Sequence, residues 1–98
     1  MQAEQGEARY SMMPRYVCHK TVWALKILSV EYRVGYTGAV LHFEKQGFGS
    51  VQVDADYLNR HRPQAGGYFV VYEGGYKSWS PADVFESGYS LDETTIVK

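Results

Sequence analysis

Ninety-eight residues, with ten basic and eleven acidic side chains and a formal net charge of −1, allow one small domain with a modest core. That balance removes the usual electrostatic argument for non-specific nucleic-acid binding, and a single cysteine excludes an intramolecular disulfide and fits a reducing compartment. No apolar stretch approaches membrane-spanning length and the polar start, MQAEQGEARYSMMP, has no leader core, so a soluble, cytoplasmic chain with no membrane contact is expected.

In chain order, residues 1–13 are polar and non-periodic and read as a flexible arm, with 14–98 as a single small globular domain. Thr21 to Val34 alternates Trp23, Leu25 and Ile27 against Ala24, Lys26 and Leu28 among β-favouring residues, which predicts a strand rather than a helix. Gly35-Tyr36-Thr37-Gly38 is turn chemistry, and Ala39 to Glu44 is the returning strand. Ser50 to Val53 predicts a short strand. Asp54 then caps a helix from Ala55 to about His61 that Pro63 stops.

The densest signals lie between Gly66 and Tyr89. Tyr68 to Tyr72 is five aromatic or β-branched residues, the composition of a strand covered on both faces. Glu73-Gly74-Gly75 supplies a tight turn and Tyr76 to Trp79 the partner strand. Ser80 as N-cap, Pro81 at the first helical position and Asp83 behind them predict a short helix with Pro81, Val84 and Phe85 on its packing face and Gly88 at its end. Thr94 to Val97 could add an edge strand. The sum is an α+β, β-dominant fold: about five mainly antiparallel strands in a curved sheet or small barrel, with two short helices.

Two of these segments, PRYVCHKTVWALKI (14–27) and GGYFVVYEGGYKSWSPADVFESGY (66–89), resemble a group of small tailed-phage and prophage accessory proteins with the patterns YVCHK-x-VWALKI and GGYYVVYxDGYxSWSPxxxFExGY. VQVDADYLNRHRPQ resembles the piece that precedes the second pattern. The chain departs from the group at Phe69 and Gly74 and over Leu28 to Phe48. The resemblance implies a phage or prophage setting inside a bacterium, and it implies no reaction and no functional residue.

Side chains with chemistry have ordinary explanations beside the sharp ones. Cys18 and His19 suggest an activated thiolate, or a metal site with His42 and His61, but neighbours on a strand face opposite ways and no CxxC or HxxxH spacing exists. Cys18 reads better as a small buried hydrophobe, and neither metal nor cofactor is expected. Asp54, Asp56, Asp83 and Glu86 could pair as acid and base, although three of them sit where helix starts favour negative charge. Arg60-His61-Arg62, with Lys20 and Lys26, is the one basic cluster. Tyr57, Arg60, Arg62, Tyr68 and Trp79 are therefore the candidate binding residues, rings to stack a base and guanidinium groups to hold phosphate. Tyr32, Tyr36, Tyr68, Tyr72, Tyr76 and Tyr89 are more than one small core can fully bury, which points to self-association or a partner protein, while Trp23 and Trp79 are expected in the core.

The first functional expectation is a non-enzymatic phage-encoded protein that inhibits or sequesters a host factor, with a host protein or a small nucleotide as partner and a homo-oligomer as an option. The alternative is a nucleic-acid-binding accessory domain using exposed aromatics, which the charge balance disfavours. An enzyme acting on a nucleotide is the weakest reading.

Overall fold

The computed structural model describes residues 13–17 and 20–92. The chain forms β1 (Val22–Glu31), β2 (Ala39–Phe43), β3 (Val51–Val53), α1 (Ala55–His61), β4 (Tyr68–Tyr72), β5 (Lys77–Ser80) and α2 (Ala82–Gly88). Every strand pairing is antiparallel and the order is β3-β2-β1-β4-β5. The expected α+β, β-dominant fold is thus present as a curled half-barrel with two short helices. Apart from the exposed Met13, the expected arm lies outside the described residues, as do Cys18, His19 and the edge strand expected at 94–97.

β1 makes the sheet curl because it serves two partners in succession. Val22 to Lys26 pair with β4, and Ile27 to Glu31 pair with β2. At the handover, Ile27 N–H donates to the Gly67 carbonyl at 2.8 Å, and the Ile27 carbonyl accepts from Gly66 N–H at 2.8 Å. Two residues thus oppose one, a bulge that bends a strand and increases its twist. A second register shift falls between Ile27 and Ser29. It turns Leu28 outward, 59% exposed, while Ile27 is fully buried, and the inward series resumes at Val30 opposite Leu41.

The core lies on the inner face, where Ile27, Ala39, Leu41, Phe43, Val53 and Phe69 pack with Tyr57 of α1. β4 has its unbroken apolar run because its centre is covered on both sides: Phe69 and the next residue, Val70, point opposite ways and both are buried. The β4–β5 hairpin closes with Gly75 at φ 92°, its N–H donating to the Tyr72 carbonyl while Tyr72 N–H donates to Tyr76, the pattern of a three-residue loop ending in a left-handed glycine. α1 starts where its cap predicts, with Asp54 Oδ1 accepting from Tyr57 N–H at 2.9 Å. It ends at Arg62 in the left-handed region, just before Pro63.

Three expectations fail, each for a tertiary reason. Ser80 does not cap α2, because it is the last residue of β5 and pairs with Tyr68. That holds its backbone extended and moves the start of the helix to Ala82, with Pro81 at the cap position and no side-chain cap bond. Val84 does not face the sheet: Phe85 stacks on Tyr68 at 4.3 Å between centroids, and Val84, about 100° round the helix, is 59% exposed. Trp23 is not in the core but 58% exposed. β2 pairs only with the second half of β1, from Ile27 on, and beside Trp23 the notch is lined by Phe48 of the β2–β3 loop.

Candidate functional site

The half-barrel is open between its edge strands β3 and β5, and α1 bridges that seam. Asp54 follows directly on β3, and one turn later the Tyr57 hydroxyl donates to the Ser78 carbonyl of β5 at 2.7 Å. The Tyr57 ring packs on Phe69 and His61, and burial pushes its phenol well above the usual range, so it stays a hydrogen-bond donor. Over the outside of this bridge lies a cleft of about 480 Å³, lined in part by Gln52, Asp56, Arg60, His61, Tyr76 and Lys77. His61 Nε2 and the Tyr76 hydroxyl are 3.2 Å apart, and Arg60 meets Asp56 at 3.4 Å. The charges in this cleft are mixed.

The five candidate residues do not share one concavity. Tyr57 and Arg60 line the seam cleft. Arg62 is an exposed residue at the C-cap of α1. Trp79 packs against the core, its indole filling the place a side chain at Gly67 would need. Tyr68 lies on the opposite face, because it precedes the inward-pointing Phe69 in the same strand. There it donates to Glu86 Oε2 at 2.7 Å, and Lys26 completes the group at 3.6 Å from the same carboxylate. The bond to Glu86 pushes the Tyr68 phenol up.

The histidines and carboxylates are also distributed. His42 lies 2.7 Å from Glu31, which accepts a two-pronged contact from Arg33. Arg33 first, then His42, holds the Glu31 carboxyl down at about 2. Asp54 caps α1, Asp83 accepts from Val84 N–H, Asp56 pairs with Arg60 and Glu86 receives Tyr68. Among the described residues no group of three or more His, Cys, Asp or Glu side chains could hold a metal ion.

The surface that sequence reasoning missed is at the open mouth of the half-barrel. Trp23, Leu25, Phe48, Phe69 and Val71 enclose an apolar notch of about 210 Å³ that leads from solvent to the buried Phe69. Trp23 and Phe48 stand at its rim, 58% and 52% exposed. Phe48 carried a legible signal: an aromatic between Gly47 and Gly49 in a loop is poorly placed for burial. Trp23 carried none, since a tryptophan in an alternating strand belongs by pattern to the core.

Five antiparallel strands, a long first strand shared by both halves, and a helix between the third and fourth define a small, partly open antiparallel half-barrel. No family model matches the chain, and no curated protein matches it. Among solved structures it is similar to the monomeric form of the phage L decoration protein, solved in solution, with a TM-score of 0.57 and 20% sequence identity. The match covers 80% of this chain and 63% of that one, so the likeness is one of fold and leaves over a third of the decoration protein uncovered. Among the described residues no helix is long and apolar enough to cross a membrane.

Proposed function

We propose that this chain is a non-catalytic phage accessory protein that docks on the surface of a phage particle. The observation that carries this reading is the open mouth, where Trp23 and Phe48 flank a notch walled by apolar side chains. Exposed aromatics around a pocket that admits one side chain are what protein interfaces use as anchors. The resemblance of its sequence patterns to phage and prophage accessory proteins supports the setting, and the likeness of its barrel to a decoration protein supports a capsid as partner. A reading without chemistry is supported by the carboxylates, whose contacts are those of caps and ion pairs. The comparisons lend no support to the narrower expectation of a sequestered host factor.

The test is co-sedimentation with particles of the encoding phage or prophage prepared without this protein. Saturable pelleting, lost in the double variant Trp23→Ser/Phe48→Ser, is the expected result. A chain that stays in the supernatant overturns the capsid reading, and Trp23-dependent capture of a bacterial protein in its place moves the function to a host target.

A second reading has one specific observation behind it. The seam cleft brings Tyr57 and Arg60 beside His61, Tyr76 and Lys77, the side chains that stack a base and hold a phosphate. Asp54 and Asp56 on the same walls weaken its pull on an anion. Titration with a mononucleotide and a short single-stranded oligonucleotide at low salt decides it: no binding to either removes this reading.

A further inference from the structure

The first half of β1 leaves an edge open inside the sheet. Ile27 turns its N–H and carbonyl to Gly67 and Gly66, on the β4 side. Backbone groups alternate sides along a strand, so Leu25 and Trp23 face β4 as well, while Lys26, Ala24 and Val22 face away from it. Lys26 is met there, its carbonyl accepting from Glu44 N–H at 3.0 Å, but β2 pairs only from Ile27 on. Among the described residues nothing pairs with the backbone of Val22 and Ala24 on that side. The outer edges β3 and β5 are different, because α1 bridges the seam between them. Ala24 also borders a hollow on each face of the sheet: the apolar notch beside Leu25 on the inside, and an open groove of about 540 Å³ beside Phe85 and Leu91 on the outside. An unpaired edge with a hollow on either face is a seat for an extended segment.

We infer that residues 94–97 of this chain, TTIV, take that seat, adding a sixth strand beside Val22 and Ala24. The path supports it. Ser90, Leu91 and Asp92 line the outer groove with Lys20 and Val22, so the chain stands at the start of β1 two residues before Thr94. Four extended residues span about 13 Å, the length of Val22 to Lys26 in β1. Composition supports it too, since Thr94, Thr95, Ile96 and Val97 are all β-branched. Ile96 and Val97 are consecutive and face opposite ways in a strand, which supplies one apolar side chain to the hollow on each side of Ala24. In this position the segment and a partner's side chain compete for the notch. The strand addition itself is a property of the isolated chain and does not rest on the docking reading.

Native-state hydrogen exchange tests it along β1, with the amides of Trp23 and Leu25, which face β4, as internal controls. In the wild-type chain the Ala24 amide is expected to exchange at least about 100-fold more slowly than in the unfolded chain. The double variant Ile96→Asp/Val97→Asp is expected to return Val22 and Ala24 to within a few-fold of the unfolded rate and to leave Trp23 and Leu25 unchanged. An Ala24 amide that is unprotected in the wild-type chain overturns the inference. Protection that survives the double variant overturns it as well: if it rises with protein concentration a second copy holds the edge, and if it does not another segment of the chain does. A nuclear Overhauser contact from the Ala24 amide to residues 94–97 is the second expected result on the wild-type chain. Its absence overturns the inference even where the double variant fails to fold.

Discussion

Gly67 shows how one residue can settle the packing of another twelve positions away. A Cβ there would lie 2.4 to 2.6 Å from three atoms of the Trp79 indole, so the tryptophan fits only because Gly67 has no side chain. The fit is close enough that Trp79 Nε1 is buried with no hydrogen-bond partner among the described residues. Gly67→Ala should therefore cost about 1–3 kcal/mol, read from the urea midpoint at constant m-value. Glu31 gives a pH-dependent prediction. Its folded carboxyl titrates at about 2 rather than 4.5, so its contribution is present above 4.5 and disappears as the pH falls towards 2. Glu31→Gln should lower the urea midpoint at pH 7, with the gap to wild type closing between pH 4.5 and 2; a gap independent of pH contradicts the assignment. In the sequence Gly66-Gly67 is legible as a chain break. Its role as a bulge is not, because the partner, Ile27, is about forty residues away.

At the scale of elements, local punctuation was a good guide wherever the determinant was local. Asp54 and Pro63 bracket α1 within a residue of the observed ends, and Glu73 to Gly75 makes the expected hairpin. Ser80 misled because the same serine can cap a helix or end a strand, and its pairing with Tyr68 decides for the strand. Phe85 was legible as apolar, but the choice of Phe85 over Val84 as the packing residue depends on Tyr68 across the gap. α1 is the element that ties the seam, so it should be the costlier helix to disturb. Tyr57→Phe, which removes only the hydroxyl bonded to Ser78, should cost about 1 kcal/mol, and Asp54→Ala about the same. Asp83→Ala, which removes a single exposed contact in α2, should stay within about 0.5 kcal/mol. Equal losses from Asp54→Ala and Asp83→Ala in urea unfolding would contradict that ranking.

For the whole molecule, the five strands and their curl were legible from period, turns and aromatic content, whereas strand order and the open mouth were not. Both depend on where β1 changes partner and on how short β2 and β3 are, which no local pattern encodes. Alternation along β4 and its register with β5 separate two of the five candidate binding residues: Trp79 pairs with Phe69 and Tyr68 with Ser80, so Tyr68 and Trp79 are close in space but sit on opposite faces. Trp23 and Phe48 at the mouth carry the proposed docking. Removing them should change stability by no more than about 1 kcal/mol, since both stand largely in solvent. The two tryptophans make a direct test possible, because Trp79 is packed on the core and Trp23 is not. The decisive measurement for the proposed docking is tryptophan emission as phage particles prepared without this protein are added. Docking through the mouth requires a saturable blue shift that Trp23→Phe abolishes and Trp79→Phe preserves; emission that does not move at saturating particle concentration contradicts it.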